Sequence, residues 1–296
     1  NKVIHFDFLK EGVINSLKFV VGLRNKYDVT INVYPSNRKE YNFINFLLGA
    51  KKRVGVEYLR MNNSNLGWLN NITVIENDKT HNAQTNIKLI EKLLNKKFDE
   101  VPEMQIELSS DDKTYANSFL KEKKISDKDF VVGFHPGCAT IKNHIMRRWE
   151  PDKFVELGKK LIKDKDAKVF LFGGPEEEKL KASINQMIES KNSYVIKTEK
   201  FLQSIAIMKR CNVFVTNDSA LMHVASALGL KVIAIIGPTN PCYIHPWKTE
   251  HKIVSLSLEC APCFFYSPKP LSCSRTDVQY KCIKELDVDL VWSNIF

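Results

Sequence analysis

Two adjacent arginines, Arg147 and Arg148, lie near the end of a polar segment, HPGCATIKNHIMRRWEP, that follows an apolar run. A guanidinium group donates two parallel N–H bonds to a carboxylate or a phosphate, so this pair is suited to binding an anion. The Pro-Gly step at the start of the segment turns the chain away from the preceding strand. The alternative interpretation is a solvent-facing loop with two surface arginines.

A second candidate segment is FGGPEEE, at residues 172–178. Its two glycines free the backbone, and Glu176 is placed to accept hydrogen bonds from a ribose. Glutamates in the first turn of a helix also stabilise the helix dipole by ~0.3–1 kcal/mol each, so a purely structural role explains the acids equally well.

A third segment, VFVTNDSALMHVASALGL, joins an apolar strand to a helix. Asn217, Asp218 and Ser219 are all favoured N-cap residues, and a cap contributes ~1 kcal/mol to helix stability. Capping alone therefore accounts for this polar cluster.

Anion binding is the second interpretation of the same helix start. The N–H groups of Ala220 and Leu221 have no acceptor within the helix and lie at its partially positive end. A single histidine is more often a structural residue with its hydrogen bonds satisfied, but the position of His223, one turn after Ser219 in the same helix, favours a functional role more than usual.

The three segments together describe a site for a nucleoside diphosphate. Arginines and helix N–H groups would bind the phosphates, and a carboxylate would bind the ribose. Neither the GxGxxG motif of dinucleotide-binding proteins nor the GxxxxGK[ST] motif of P-loop proteins is present.

A cysteine cluster lies near the end of the chain. Cys260, Cys263, Cys273 and Cys282 have the spacing C-x2-C-x9-C-x8-C, and four thiolates so spaced can bind zinc or iron in a structural site. Four free thiols, or one disulfide, are the alternatives.

The elements that must position these residues alternate between short apolar strands and amphipathic helices, a pattern that predicts an α/β fold with parallel sheets. Strands are predicted at residues 2–6, 29–33, 53–56, 130–134, 168–172 and 194–196, and at the two apolar runs on either side of His223. The charged stretch at residues 98–128 predicts a domain boundary, giving domains 1–125 and 126–296. The second is a complete doubly wound unit, in which ligands bind at the carboxyl ends of the strands.

Composition excludes some classes of function. The 296 residues carry a net charge of +10, which favours acidic partners such as phosphates, nucleotides or anionic lipid. The lysines are scattered in pairs and not in a stripe with aromatic residues, so we expect no nucleic-acid partner. No apolar run approaches the ~20 residues that a membrane span requires.

The three segments, in this order and spacing, resemble the lipopolysaccharide heptosyltransferases of glycosyltransferase family 9. The segments that carry the resemblance are RRWEPDKFVELGKKL, VFLFGGPEEE and VTNDSALMHVASALGLKVIAIIGPTNP, and the similarity extends over residues 130–283. The first half is less similar, through KYDVTINVYPSN and LLGAKKRVGV.

The resemblance implies a GT-B fold, in which two Rossmann-like domains face a cleft. It also implies an ADP-heptose donor bound by the C-terminal domain and a lipid-anchored oligosaccharide acceptor bound by the N-terminal one. No cofactor is needed for the chemistry. The resemblance further implies that the enzyme is cytoplasmic and makes peripheral contact with the anionic inner face of the inner membrane.

Carried over residue by residue, the resemblance assigns roles to matching positions. The donor's phosphates are assigned to Arg147, Arg148, Asp218, Ser219, Ala220, Leu221 and His223, and its ribose and adenine to Glu176 and Phe201. The cysteine cluster also resembles that of the family, and a related branch that modifies adhesins carries iron on a similar loop.

Two departures from the family pattern stand out. Ala220 replaces the usual glycine, which narrows the approach of a phosphate. The family's Gly-Asp turn, which carries the expected catalytic base, has no counterpart, because Asp7 is not preceded by glycine. We expect either that the first βα elements, and the base with them, lie upstream of Asn1 or that the protein is divergent, and the catalytic residue is therefore unassigned.

Alternative functions are compatible with these motifs. A heptosyltransferase acting on an adhesin, a GT-B epimerase, and an inactive nucleotide-binding or scaffold protein could all retain the same nucleotide site.

Overall fold

The computed structural model describes residues 3–61, 63–266 and 269–296. The chain divides into two compact units, Asn1–Val101 and Pro102–Phe296. Among the described residues, no helix is both long enough and apolar enough to cross a membrane.

The first unit is a parallel sheet with helices. Its elements are α1 (Gly12–Gly22), β1 (Val29–Ile31), α2 (Lys39–Leu47), β2 (Lys52–Glu57), β3 (Ile72–Ile75) and α3 (Asn82–Leu94). The strand order is β1-β2-β3. The middle strand is the most buried of them, because both of its neighbours cover it. Residues 3–6, predicted as a strand, are not in one, and residue 2 lies outside the described residues.

The second unit is a doubly wound α/β layer structure. Its elements are α4 (Ser110–Glu122), β4 (Val131–His135), α5 (Pro151–Lys165), β5 (Lys168–Leu171), α6 (Glu178–Ile188), β6 (Ser193–Val195), α7 (Phe201–Met208), β7 (Val213–Asn217), α8 (Ala220–Ala227), β8 (Lys231–Ile235), α9 (Pro241–Ile244), β9 (His251–Val254), α10 (Lys281–Lys284) and α11 (Val288–Trp292). The strand order is β6-β5-β4-β7-β8-β9, with parallel pairing.

The central strands are buried on both faces, as expected for a parallel sheet covered by helices. Along β4, Val132 and Phe134 face one apolar cluster with α5, and Val131 faces the opposite cluster with α7. Phe134 also packs edge-on against Phe154 of α5, with 5.4 Å between ring centroids. This packing fixes the strand ends, from which the candidate site residues extend.

Candidate functional site

A cavity of about 610 Å³ opens at the carboxyl ends of β4, β5, β6 and β7. Each of the loops that follow these strands contributes to its wall. The lining residues used below are His135, Glu176, Glu177, Lys181, Phe201, Ser219, Ala220 and Leu221. The structure thus brings together five of the residues that the sequence proposed, at the edge where a doubly wound sheet binds ligands.

Helix α8 begins at this cavity without a side-chain cap. Ser219 is the N-cap residue and has the expected extended backbone, with φ −156° and ψ 169°, but its side chain makes no capping hydrogen bond. The predicted cap is therefore wrong for this side chain. The first N–H groups of α8, at Ala220 and Leu221, have no intrahelical acceptor and are left to a ligand or water.

The Ser219 hydroxyl binds His135 instead. Ser219 Oγ lies 2.8 Å from His135 Nδ1 and 3.2 Å from Thr216 Oγ1. The other ring nitrogen of His135, Nε2, lies 3.0 Å from Glu177 Oε2. Serine, histidine and glutamate thus form a chain that joins the ends of β7 and β4 to the loop after β5.

Glu177 is a buried carboxylate with several donors. Burial raises its pKa, but the hydrogen bond and charge of His135, the Gly174 N–H and Arg148 together outweigh burial, so the pKa of Glu177 lies below its usual value. Two glycines make room for it: a Cβ on Gly137 would lie 1.6 Å from Glu177 Oε1, and one on Gly173 would lie 2.6 Å from Oε2. These loops therefore provide both the space and the hydrogen-bond donors for Glu177 as a carboxylate.

Glu176 and Phe201 differ from Glu177 in being exposed to the cavity. Glu176 is exposed beside its buried neighbour, and Phe201, the first residue of α7, is 62% exposed. The wall between them is fixed by Lys181, whose buried Nζ donates to Gly173 O at 3.1 Å and Ile196 O at 3.0 Å. A carboxylate and an apolar ring are thus free to contact a ligand on this side.

Arg147 and Asp218 form a half-buried ion pair near the cavity but do not line it. Arg147 Nη1 lies 2.6 Å from Asp218 Oδ2, which also accepts from Thr239 Oγ1 at 2.7 Å. The guanidinium lies over the ring of Phe264, 5.8 Å from its centroid. The buried Nε of Arg147 has no hydrogen-bond partner among the described residues.

Arg148 and Asn217 make hydrogen bonds that fix the segment after β4. Arg148 Nη2 donates to Cys138 O at 2.8 Å and contacts Glu177 Oε1 at 3.3 Å. Asn217, which the sequence offered as a helix cap, instead accepts from the Trp149 N–H at 2.9 Å and donates to Pro136 O at 2.8 Å. Both side chains tie the segment after β4 to the sheet.

His223 lies away from the cavity wall. Burial lowers the pKa of its imidazole; Asp218 acts in the opposite direction, and His245 lowers the pKa further. The ring is therefore neutral near pH 7 and can donate one N–H, but it carries no positive charge for a phosphate.

With this geometry established, comparison with known proteins is informative. Residues 16–271 match the family described as glycosyltransferase family 9 (heptosyltransferase). The chain belongs to glycosyltransferase family 9. One curated relative, lipooligosaccharide heptosyltransferase 2 of Campylobacter jejuni, is 31% identical over 171 residues, which are 54% of this chain and 48% of the relative. The chain thus spans about half the length of this relative.

Solved structures show that the family 9 chain has the fold of its relatives. A family 9 glycosyltransferase from Veillonella parvula has a TM-score of 0.71 and 20% identity, covering 97% of this chain and 79% of its own. The ADP-heptose LPS heptosyltransferase II of E. coli has a TM-score of 0.63 and 20% identity, covering 95% and 81%. The α/β fold class predicted from the sequence, GT-B, is confirmed.

The zinc or iron site at the cysteine cluster of this family 9 chain stays a prediction. Cys260, Cys263, Cys273 and Cys282 are free thiols, and no three His, Cys, Asp or Glu side chains among the described residues are arranged to bind a metal ion. Burial, with the neighbouring thiols of Cys263, Cys273 and Cys260, raises the pKa of Cys282 to about 11.

Two thiols of the cluster contact nitrogen atoms of neighbouring residues. Cys273 Sγ accepts from the Tyr280 N–H at 3.2 Å, and Cys260 Sγ lies 3.6 Å from Arg275 Nη1.

Asp7, the residue considered in place of the missing catalytic aspartate, is occupied by a turn. Its Oδ1 accepts from the backbone N–H groups of Leu9 and Lys10, at 3.1 and 3.2 Å. This is a local capping role.

The sequence did not single out His135, Glu177 or Lys181 in this family 9 chain. A histidine that ends an otherwise apolar strand, and a glutamate that follows two glycines by a few residues, were the available signals for the first two. Lys181 carried no signal, since one lysine in an amphipathic helix is ordinarily exposed.

Proposed function

We propose that this protein is a glycosyltransferase that moves a heptose from ADP-heptose to a lipopolysaccharide core or a related lipid-anchored oligosaccharide. The donor name comes from the E. coli structure, and the acceptor class from the lipopolysaccharide and lipooligosaccharide heptosyltransferases among its relatives. The observation that carries the proposal is the cavity of the second unit, with its uncapped helix, carboxylate and exposed aromatic ring.

The order of these groups matches the parts of a nucleoside diphosphate. The strand order β6-β5-β4-β7 places Phe201 after one end strand and helix α8 after the other. Three strand spacings separate those ends, about 14 Å, which an extended ADP spans. Adenine would contact Phe201, the ribose hydroxyls would donate to Glu176, and the diphosphate would reach the N–H groups of Ala220 and Leu221.

The Arg147–Asp218 pair would serve the departing diphosphate. Asp218 and Thr239 fix the guanidinium in one orientation, so that its remaining N–H groups need little reorganisation to meet negative charge. His223 would add one neutral N–H donor, and Arg148 would act through Glu177 and the loop after β4.

The reaction would be an inverting displacement. An acceptor hydroxyl attacks the anomeric carbon, the bond from that carbon to the phosphate oxygen breaks, and ADP departs with the electron pair. A carboxylate would remove the proton of the hydroxyl, and no residue of the first unit is assigned to that role. Because the acceptor is a membrane lipid, the protein would work from the cytoplasm at the inner face of the inner membrane.

A transfer assay tests this function. The full-length protein is incubated with ADP-heptose and heptose-deficient lipopolysaccharide cores, and mass spectrometry follows both the acceptor and released ADP. We expect a mass gain of one heptose and an equal amount of ADP. Arg147→Ala should lower the rate by at least tenfold, and Arg210→Ala, which lies before the amino end of β7 in the same unit, provides the matched control.

Three outcomes would contradict parts of the proposal. Release of ADP without any acceptor gain would point to hydrolysis. Transfer to an adhesin but not to a lipid core would replace the acceptor class. Binding of ADP without turnover on any acceptor would favour the inactive homologue.

A further inference from the structure

The hydrogen bonds that link Ser219, His135 and Glu177 affect nucleotide binding. This inference rests on the proposed function. Serine at an N-cap normally accepts a hydrogen bond from the second or third helical N–H group. In α8 those are the N–H groups of Leu221 and Met222, and the first of them lines the cavity. A cap at Ser219 would therefore compete with a phosphate for the same donor.

The tautomer of His135 follows from its partners. Glu177, held ionised by its donors, accepts from His135 Nε2–H at 3.0 Å, and in the tautomer with its proton on Nε2 the ring has its lone pair at Nδ1. That lone pair accepts the Ser219 O–H at 2.8 Å. His135 is 4% exposed and ends a strand buried along its whole length, so the ring has little freedom to turn.

We propose that His135 is a positioning residue that turns the Ser219 hydroxyl away from α8 and so keeps the Leu221 N–H open for the donor's phosphate. Glu177 acts behind it by fixing the tautomer, and Gly137 and Gly173 provide the space for Glu177. The same Ser–His–Glu connectivity occurs in nucleophilic triads, but here its role is to suppress a cap.

Two substitutions at His135 separate its two hydrogen bonds. Asparagine places a polar atom near Nδ1 and keeps the Ser219 contact, whereas glutamine places one near Nε2 and keeps the Glu177 contact. We expect His135→Asn to bind ADP within about twofold of wild type in calorimetry. His135→Gln should bind about fivefold more weakly, the factor that corresponds to one capping hydrogen bond.

The sharpest test is whether a second substitution restores the affinity for ADP. Alanine cannot cap, so His135→Gln combined with Ser219→Ala should regain most of the lost affinity. A double variant as weak as His135→Gln would overturn the proposal, because the lost affinity would then not come from a Ser219 cap. A His135→Gln that binds as well as His135→Asn would also overturn it, because the Ser219 contact would then have no effect on binding.

Hydrogen exchange on the wild-type protein does not depend on any variant folding. The Leu221 amide should exchange rapidly in the free protein and become protected when ADP is added. Protection already present without ADP would contradict an open helix start. A wild-type protein that binds no ADP at all would instead contradict the proposed donor site, so the two failures are distinguishable.

Discussion

At the scale of residues, two adjacent glutamates have opposite environments. Glu176 is exposed at the cavity, whereas Glu177 is buried and binds His135, Arg148 and the Gly174 N–H. The sequence FGGPEEE gives no reason to distinguish them. Only the packing of Glu177 into the space left by glycines does so, and the two residues therefore act as controls for one another.

Glu176→Gln should weaken ADP binding and leave stability unchanged. Loss of a charged acceptor for the ribose hydroxyls corresponds to roughly a tenfold fall in affinity. Calorimetry gives the affinity and urea unfolding gives the stability. An unchanged affinity would remove Glu176 from the ribose site.

Glu177→Gln should lower the free energy of unfolding, and this loss should depend on pH. The folded-state pKa of Glu177 is lowered, so its stabilisation is present above the unfolded value of about 4.5 and is lost as pH falls through the folded value. The difference in unfolding free energy between wild type and Glu177→Gln should be largest near pH 7 and shrink below about pH 4.5. A difference that grows with acid would refute this account of the buried carboxylate.

At the scale of elements, the loops after β4 and β5 interlock through a glycine. A Cβ on Gly137 would lie 1.6 Å from Glu177 Oε1, so Gly137→Ala must displace that carboxylate from His135 and Arg148. We expect a loss of about 1–3 kcal/mol in unfolding free energy, the usual cost of overpacking.

Gly22→Ala is the control for this substitution, because nothing lies within 4 Å of a Cβ there. Its effect should be at most about 0.5 kcal/mol. Equal effects of the two substitutions on the free energy of unfolding, measured in urea, would show that the Glu177 carboxylate does not require a glycine at position 137.

Much of the element pattern was predictable, because it depends on local periodicity. Helix α3 spans Asn82–Leu94, where an apolar stripe with the helical period is visible in the sequence. Strand β9, His251–Val254, was not predicted, because four residues with a lysine carry too little pattern. Residues 3–6 are mostly apolar, as in a strand, but pair with none among the described residues, which a local pattern cannot reveal.

The candidate site was predictable by position but not by contact. Parallel strands bring their carboxyl ends to one edge, so the three segments had to converge. The hydrogen-bond partners of the Ser219 and Asn217 side chains, however, lie far away in sequence. For that reason the sequence assigned both residues to capping, whereas the structure assigns them to His135 and Trp149.

At the scale of the whole molecule, buried histidines give stability a pH dependence. Burial is the main cause that lowers the pKa of His144, His223 and His245 from 6.5. The unfolded chain therefore binds more protons than the folded one below that value, and stability must fall as pH decreases.

We expect the unfolding free energy to be nearly constant from pH 8 to pH 7 and to decrease from pH 6.5 to pH 5.5. Urea unfolding followed by tryptophan fluorescence in a Trp68→Phe background reports on the second unit, which holds all three histidines. The added double substitution His144→Gln and His223→Gln should flatten the profile. A profile that is unchanged by it would assign the acid sensitivity to other groups.

The central claim is that the cavity at the carboxyl ends of β4 to β7 binds the nucleoside diphosphate of a sugar donor. A crystal structure of the protein with ADP tests it most directly. The account predicts adenine against Phe201, the ribose within hydrogen-bond distance of Glu176, and a phosphate oxygen at the N–H groups of Ala220 and Leu221. ADP bound elsewhere, or in this cavity with its phosphates directed away from α8, would contradict it.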